Sequence, residues 1–265
     1  MTHWVAIVLG FIEGATEFLP ISSSGHLIIA RHLLGVNDLG GLTFDAVLQF
    51  ATTLAIVLYF WKDIFYLFVT FYNLVRKNPV VEKDRVLFYS ILFGTIPAVI
   101  AGLLLENYMD TVFRNVQLVA VTLILGSGLF WIAQKLATKN KDLTLGKGIM
   151  IGIFQCLALV PGVSRSGATI SGGLLSGLTQ EESVRFSFLL SIPILIGAGL
   201  KKILEVRHDL FTSAFGSSLL VGSVVAFVTG LFAINFLIKY LKNNNLNLFI
   251  YYRIGLGIAI FLFFS

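Results

Sequence analysis

The sequence contains little of what stabilises a water-soluble domain or a secreted scaffold. Of its 265 residues only 12% are charged, and it has five prolines and one cysteine. A lone cysteine excludes a disulfide framework, and Cys156 has no CxxC partner, which argues against redox chemistry. Hydrophobic residues make up 57% of the chain, and the mean hydropathy is strongly positive. These proportions predict a protein whose solvent is the lipid bilayer.

Long apolar runs predict six membrane-spanning helices, because a span needs about 20 mostly apolar residues. The predicted spans are residues 44–61, 86–105, 116–136, 184–203, 216–238 and 247–264. A shorter aromatic run at 63–75 predicts a helix at the membrane interface, where Tyr and Trp are favoured. The first apolar segment lacks a signal-peptide pattern, so we expect it to belong to the folded protein.

Basic residues in the connections predict the orientation of the chain. The segments 76–85 and 135–147 each carry four Lys or Arg residues, whereas 106–115 carries only Arg114. The positive-inside rule places the first two segments in the cytoplasm and the third outside. The connections of the second half support this orientation only weakly.

The chain contains an internal repeat at an offset of 142 residues. This offset aligns ISSSGHLI at 21–28 with VSRSGATI at 163–170, and it places Glu13 on Gln155. Matches that extend over about 30 residues predict a duplication. We assign residues 1–265 to one integral membrane domain, with one repeat at about 1–137 and the other at about 146–265.

Each repeat is predicted to begin with two short apolar helices joined by a Pro/Ser/Gly turn, followed by three spans. The short helices cannot cross a bilayer, so each pair is predicted to be a re-entrant hairpin. Three spans separate the two hairpins, so the second enters from the opposite side. The predicted fold class is an all-α polytopic membrane protein with an inverted-topology repeat, whose broken helices can face an anion near the midplane.

Two acidic residues precede the first serine-rich turn. Glu13 and Glu17 lie four residues apart, so a helix presents both carboxylates on one face. Each carboxylate costs about 2.5–3.5 kcal/mol at the bilayer centre, which favours a functional role over a satisfied structural pair. Two close carboxylates predict a site for a divalent cation, Mg²⁺ or Ca²⁺, that also binds diphosphate oxygens. Without a metal, their repulsion would make one of them an acid or a base.

The first turn then supplies hydroxyl groups and an imidazole. Its residues are Ser22, Ser23, Ser24, Gly25 and His26. Any one serine could simply cap the next helix, but three in a row exceed what one cap needs. His26 lies beside these hydroxyls and downstream of the glutamates, so it is a candidate proton carrier.

The second turn carries an isolated cation. Arg165 is the only charged residue between positions 148 and 180, and a permanent guanidinium there requires an anion. A structural partner such as Glu13 or Glu17 is one alternative, and a bound phosphate is the other. The residues that could cradle a phosphate beside Arg165 are Ser164, Ser166, Gly167 and Thr169.

The segments EGATEFLPISSSGH and FQCLALVPGVSRSGATISGG closely resemble the two signature regions, ExxxE and PGxSRSxxT, of the bacterial undecaprenyl-diphosphate phosphatases linked to bacitracin resistance. The resemblance covers nearly the whole chain. Ser24 stands where some members carry threonine, which keeps a hydroxyl. The resemblance implies that Glu13 and Glu17 are the motif acids and that Ser23 and His26 are catalytic. The residues that it assigns to phosphate binding are Ser164, Arg165, Ser166 and Thr169.

The resemblance also implies an activity and a location. The expected reaction removes one phosphate from undecaprenyl diphosphate and regenerates the carrier lipid for cell-wall synthesis. The expected cofactor is a divalent cation, and the active site is expected to open to the outer face of the bacterial cytoplasmic membrane. Membrane lipids are expected partners and nucleic acids are not, while a homodimer is compatible with the sequence. Attack by Ser23 and attack by a water that His26 deprotonates both fit these residues.

Two other classes fit less well. Inverted repeats and broken helices are common in secondary transporters and lipid flippases, but pure transport does not need a Glu, Ser, His and Arg set. Ser24-Gly25-His26 and Ser164-Arg165 partly match the PSGH and SRxxxxxH motifs of the membrane acid phosphatases. Position 171, however, is serine where that class has its nucleophilic histidine.

Overall fold

The computed structural model describes residues 2–36, 41–110, 115–138, 141–206 and 214–264. Within these ranges the chain forms eleven α-helices and no β-strand, which confirms the all-α prediction. The helices are α1 (His3–Glu17), α2 (Ser23–Leu33), α3 (Gly41–Tyr59), α4 (Trp61–Val75), α5 (Glu82–Asp110), α6 (Val116–Leu136), α7 (Leu145–Cys156), α8 (Arg165–Leu175), α9 (Gln180–Val206), α10 (Ala214–Asn243) and α11 (Asn247–Phe263). A 3-10 turn at Leu157–Leu159 continues α7.

Several helices are suited to cross a membrane. Among the described residues, four are long and apolar enough, or five if the bent pair α3 and α4 is one span. The four segments are Glu82–Leu105, Val116–Leu136, Gln180–Lys201 and Gly216–Asn243, which confirms four predicted spans. The predicted span 247–264 corresponds to the 17-residue α11, which is apolar but shorter. The chain is therefore a multi-pass membrane protein. The connections that predict its orientation include residues 111–114, 139 and 140, which lie outside the described residues.

The span predicted at about 44–61 corresponds to α3, which stops at Tyr59 and meets α4 at an angle of 80°. The bend has no proline or glycine. Phe60 at the corner is buried, and its ring lies 5.8 Å from that of Phe188. Asp63 accepts a hydrogen bond of 3.0 Å from Arg185 Nε. These tertiary contacts fix the bend, and α4 confirms the helix predicted at 63–75, whose place at the interface stays a prediction.

The two short helix pairs share their local geometry. Thr2 and Thr144, which are 142 residues apart, cap α1 and α7 by accepting from the backbone N–H three residues later. Gly35 and Gly177 follow α2 and α8 with φ of 63° and 85°, a region that favours glycine. The two short helix pairs therefore begin with the same kind of cap and end with a glycine of the same kind of conformation.

Glycines let each pair approach the rest of the bundle closely. A Cβ at Gly10 of α1 would lie 2.3 Å from the Gly222 carbonyl oxygen of α10. A Cβ at Gly152 of α7 would lie 2.0 Å from the Gly94 carbonyl oxygen of α5. Small residues permit such backbone contact between membrane helices. Each short pair is thus held against a long helix of the other half of the chain.

Candidate active site

The two serine-rich turns meet in the interior of the bundle. Ser22 Oγ of the first turn accepts a 3.0 Å hydrogen bond from the backbone N–H of Gly162 in the second. Ser166 Oγ of the second turn donates a 3.2 Å hydrogen bond to the carbonyl oxygen of Leu19 in the first. Both serines are buried. The contacts bring together residues that are about 140 positions apart, as a common site requires.

Matching serines begin the helix after each turn. Ser22 and Ser164 have φ of 75° and 76°, and their side chains accept from the N–H groups of Gly25 and Gly167. A non-glycine residue at positive φ is uncommon, and such conformations cluster at functional sites. The glycines are needed for space as well, since a Cβ at Gly167 would lie 1.9 Å from the ring of Phe130. Each serine therefore caps its helix and shapes its turn.

A chain of three polar groups crosses from one turn to the other. Arg165 donates to Glu17 Oε1 at 2.7 Å, and Ser23 Oγ donates to Glu17 Oε2 at 2.5 Å. Glu17 and Ser23 are buried, and the Arg165 side chain is only 12% exposed. Its Nε and Nη1 atoms are buried without a hydrogen-bond partner among the described residues. A guanidinium with unused donors beside a hydroxyl held by a carboxylate is suited to binding and attacking a phosphoryl group.

Glu13 lies one turn before Glu17 in α1 and is 2% exposed. Its Oε1 atom has no hydrogen-bond partner among the described residues. Burying an ionised carboxylate without a partner costs several kcal/mol unless it takes up a proton or a ligand or cation compensates its charge. At the equivalent position of the second repeat, Gln155 is also buried, and neither its Oε1 nor its Nε2 has a partner there.

His26 is held at the edge of the site, away from full burial. Its Nδ1 atom lies 2.7 Å from the carbonyl oxygen of Ser22, and its Nε2 atom lies 2.7 Å from the Tyr252 hydroxyl. A carbonyl can only accept, so in the neutral ring Nδ1 carries the proton and Nε2 accepts from Tyr252. The two rings also stack with their centroids 5.7 Å apart. His26 therefore connects the first turn to α11.

The remaining sequence-predicted residues take different positions. Ser24 is exposed, and its hydroxyl lies 3.4 Å from that of Ser22. Ser164 and Ser166 place their hydroxyls 3.2 Å apart. Thr169 faces α9, where its hydroxyl lies 2.5 Å from that of Ser187, and it is fully buried. The structure brings Glu17, Ser23 and Arg165 into direct contact. Thr169 points away from them and pairs its hydroxyl with that of Ser187.

Arg253 of α11 lies at the same junction and is absent from the sequence-predicted set. Its side chain is fully buried and donates to carbonyl oxygens of both turns and of α6. The signal that could have found it is a lone charge inside the apolar segment NLFIYYRIGLGIAIFLF, since ionisable residues within membrane helices mark functional positions.

A second ion pair lies near Glu13. Arg31 of α2 donates to both carboxylate oxygens of Asp45 in α3, with the shortest distance 2.5 Å. The Asp45 carboxylate is close enough to Glu13 to repel its charge. Asp45 falls in a predicted span, and its charge there is the signal that sequence reasoning passed over. The pair joins α2 to α3 beside the site.

The carboxylates do not form a complete protein cage for a metal. Among the described residues, no group of three or more His, Cys, Asp or Glu side chains could hold a metal ion. Mg²⁺ does not need one, because it is often bound by one or two carboxylates together with substrate phosphates and water. The unpartnered Glu13 oxygen fits such a ligand, while both Glu17 oxygens already accept hydrogen bonds.

Fold and site together define a multi-pass helical membrane protein with a buried carboxylate, guanidinium and hydroxyl centre. The family model described as bacitracin resistance protein BacA matches residues 6–259. The chain belongs to this family.

Curated relatives cover almost the whole chain. A protein of Renibacterium salmoninarum named undecaprenyl-diphosphatase is 38% identical, covering 98% of this chain and 95% of its own length. Proteins with the same name from Moorella thermoacetica and Chloroherpeton thalassium are 42% and 44% identical. The first of these two matches covers 98% of this chain and 97% of the relative, and the second covers 96% and 93%.

Proposed function

We propose that this protein is an undecaprenyl-diphosphatase, which uses water to convert undecaprenyl diphosphate into undecaprenyl phosphate and inorganic phosphate. The observation that carries the proposal is the buried chain from Arg165 through Glu17 to Ser23, formed where the two turns meet. Relatives that share almost the full length of this chain bear the name of that activity. Through this reaction the protein recycles the lipid carrier for peptidoglycan synthesis and confers bacitracin resistance.

Arg165 is assigned to phosphate binding and charge neutralisation. Its Nη2 atom is bonded to Glu17, and its Nε and Nη1 atoms remain available to phosphoryl oxygens. Negative charge spreads over those oxygens in the transition state, and fixed donors in a site that excludes water stabilise it strongly. The backbone N–H groups that begin α2 and α8 support the same role, because helix N-termini favour anions.

Ser23 is assigned to attack the terminal phosphorus. Its hydroxyl already donates to Glu17 at 2.5 Å, so Glu17 can take the proton as the serine–phosphorus bond forms. The phosphoanhydride bond breaks at the same time, and undecaprenyl phosphate leaves with the bridging oxygen. Water then attacks the phosphoserine, inorganic phosphate leaves, and the serine oxygen regains a proton. His26, half-buried and bonded to Tyr252, is assigned to proton exchange between the site and the outside water.

A divalent cation, Mg²⁺ or Ca²⁺, is the proposed cofactor. Glu13 would hold it through its unpartnered oxygen, and Glu17, on the same helix face, would contribute a lone pair that its hydrogen bonds to Arg165 and Ser23 leave unused. When bound, the cation supplies positive charge that neutralises diphosphate oxygens. This role explains why Glu13 is buried without a partner among the described residues.

The fold is proposed to be an inverted repeat of two re-entrant hairpins, α1 with α2 and α7 with α8. The nearly equal φ of Ser22 and Ser164, the matching Thr caps and the two hydrogen bonds that the second turn donates to the first support this proposal. The hairpins would enter the bacterial cytoplasmic membrane from opposite sides and meet at a site that opens outward. The prenyl chain of the substrate would then lie along lipid-exposed helices.

Phosphate release by the purified protein tests the proposed function. Undecaprenyl diphosphate is incubated with protein in detergent, and ³¹P NMR identifies the products. The proposal expects equal amounts of undecaprenyl phosphate and inorganic phosphate, activity that a chelator removes and Mg²⁺ or Ca²⁺ restores, and no hydrolysis of undecaprenyl phosphate. Movement of the lipid across vesicles without phosphate release would contradict it and favour a flippase.

A further inference from the structure

Arg253 is the one large, fully buried cation that contacts both turns among the residues that the structure describes. Nη1 lies 3.4 Å from the carbonyl oxygen of Pro20 in the first turn and 3.0 Å from that of Val163 in the second. Nη2 lies 2.9 Å from the carbonyl oxygen of Gly162. The planar guanidinium of Arg253 therefore bridges the two turns.

The same guanidinium also donates hydrogen bonds to α6. Nε lies 3.2 Å from Ser127 Oγ and 3.3 Å from the Leu123 carbonyl oxygen, and Nη2 lies 3.1 Å from the same carbonyl. Nη2 also approaches the Thr122 carbonyl oxygen at 3.4 Å. The guanidinium carbon lies 4.5 Å from the centre of the Phe130 ring, which adds a cation–π contact. All three nitrogens are thus used by the protein itself, so Arg253 is not arranged to bind the substrate.

The bonded carbonyls explain what Arg253 does for the site. A carbonyl oxygen that faced the phosphate would repel it, because the oxygen is the negative end of the carbonyl dipole and the phosphate is an anion. Gly162 turns its carbonyl to Arg253 and its N–H to Ser22. Gly162 is thereby bonded to the first turn through its N–H and to Arg253 through its carbonyl oxygen. Arg253 therefore contacts the second turn at Gly162 and Val163, directly before Ser164 and Arg165, while it also contacts Pro20 of the first turn.

We propose that Arg253 is a positioning residue, which holds the two serine turns in register so that the Arg165, Glu17 and Ser23 contacts can form. The inference rests on the proposed phosphatase function only for its kinetic readout. A planar group with five donors can satisfy several carbonyls at once, whereas a lysine ammonium cannot match this geometry. Misplacing a reacting group by about 1 Å can cost about a hundredfold in rate.

Gly126 of α6 gives a way to displace Arg253 without removing it. A Cβ at Gly126 would lie 2.2 Å from Arg253 Nη2 and 3.2 Å from the Val163 carbonyl oxygen that Arg253 bonds, so Gly126→Ala must disturb the contact of the guanidinium with the second turn. Gly128 lies on the same helix, and nothing is within 4 Å of a Cβ built there. Gly128→Ala is therefore the matched control, with the same change in helix propensity and no effect on Arg253.

The experiment compares Arg253→Lys, Gly126→Ala and Gly128→Ala as purified, monodisperse proteins in detergent. We expect kcat per folded molecule to fall about a hundredfold in the first two, with KM for undecaprenyl diphosphate changing less. Gly128→Ala should keep kcat within about threefold of the unchanged protein, because its Cβ meets no neighbour. A role in stability alone would lower the yield and the melting temperature but leave kcat per folded molecule unchanged.

Hydrogen exchange tests the contact between the two turns without an assay of phosphate release. Peptides that cover residues 19–26 and 160–167 should exchange faster in Gly126→Ala than in Gly128→Ala. Displacing Arg253 releases the Gly162 carbonyl, and the second turn can then move so that the Gly162 N–H loses its bond to Ser22. This readout applies even if the unchanged protein releases no phosphate, which would contradict the proposed function and not the positioning role. Unchanged exchange and unchanged kcat in Gly126→Ala would overturn the inference. Failure of both Arg253→Lys and Gly126→Ala to fold would also overturn it, since the role would then be one of folding.

Discussion

Glu17 is the residue at which the two turns become one site, because each of its carboxylate oxygens bonds a different partner. One oxygen accepts from Arg165 of the second turn and the other from Ser23 of the first. The Glu17 carboxylate can therefore orient the Arg165 guanidinium for phosphate binding and receive the proton of the attacking Ser23 hydroxyl. The alternatives for Arg165, an ion pair or a phosphate ligand, are compatible with each other, because the pair uses only one of its three nitrogens.

Substitution of Arg165 separates its two roles. Arg165→Lys keeps the charge but loses the planar group, so we expect kcat to fall about 10²–10³-fold, by more than KM rises. Arg165→Ala should be worse, and it should also lose about 3–5 kcal/mol of stability, because Glu17 is left buried without its cation. The double variant Arg165→Ala with Glu17→Gln should recover stability but not activity. Kinetics and melting in detergent measure both effects.

Arg85→Ala is the control for that series, because Arg85 forms an exposed pair with Glu82 away from the site. Exposed pairs contribute about 0–1 kcal/mol, so neither activity nor melting should change much. Normal turnover in a stable Arg165→Ala protein would contradict the assignment of Arg165 to phosphate.

Ser23 attack predicts a covalent intermediate. Acid quenching during turnover of substrate labelled in the terminal phosphate should trap phosphoserine at position 23. Ser23→Ala should give no trapped label and should lose at least about a hundredfold in kcat, since the nucleophile is absent. Ser176→Ala, at the end of α8, removes a serine outside the site and should behave like the unchanged protein. Unlabelled enzyme, together with substantial turnover by Ser23→Ala, would mean that water attacks directly.

At the scale of helices, the position of each short pair depends on glycines that allow backbone contact. Gly152→Ala places a Cβ 2.0 Å from the Gly94 carbonyl oxygen, so α7 must move away from α5. Overpacking of this kind costs about 1–3 kcal/mol. Gly146→Ala on the same helix meets nothing within 4 Å and serves as the control, with at most a small gain from helix propensity. Equal melting temperatures for the two variants in detergent would show that this contact is not needed.

The helices also show what a sequence can and cannot predict. The turns were predictable, because serine, glycine and proline patterns are local and recur at a fixed offset. The break between α3 and α4 was predictable from the change to an aromatic run, but its 80° bend was not, because the bend depends on packing of Phe60 against Phe188 and on the ion pair of Asp63 with Arg185. In the same way, the bond from His26 to Tyr252 joins residues 226 positions apart, and no local pattern encodes it.

Within the site, the roles of Arg165 and Glu17 could be inferred from their charges in apolar segments. Their direct contact could not be inferred, because they lie 148 positions apart in the sequence. Thr169 stands at a motif position, yet its hydroxyl faces Ser187 of α9. Arg253 carried the same signal as Arg165, a lone charge in an apolar segment, but it lies far from either motif in the sequence. Its contacts with both turns arise only when α11 packs against α6.

At the scale of the whole molecule, the basic connections and the inverted repeat together predict which connections face the cytoplasm. In a Cys156→Ala background, a single cysteine at Asn78 should react with an impermeant thiol reagent only after the cells are opened. A cysteine at Asn115, just before α6, should react in intact cells. Both positions lie outside the membrane spans and are exposed in the protein itself. Labelling of Asn78→Cys but not Asn115→Cys in intact cells would reverse the proposed orientation.

The most direct test of one phosphate-handling site made from both turns is the effect of Glu17→Gln on hydrolysis. The amide keeps the shape of the side chain but removes the charge that holds Arg165 and accepts from Ser23. Phosphate release from undecaprenyl diphosphate is measured for the unchanged protein, for Glu17→Gln, and for Glu181→Gln at an exposed position of α9 as the control. We predict that Glu17→Gln remains folded and loses about 10²–10³-fold in kcat, while Glu181→Gln is unaffected. Turnover by folded Glu17→Gln equal to that of Glu181→Gln would contradict the account.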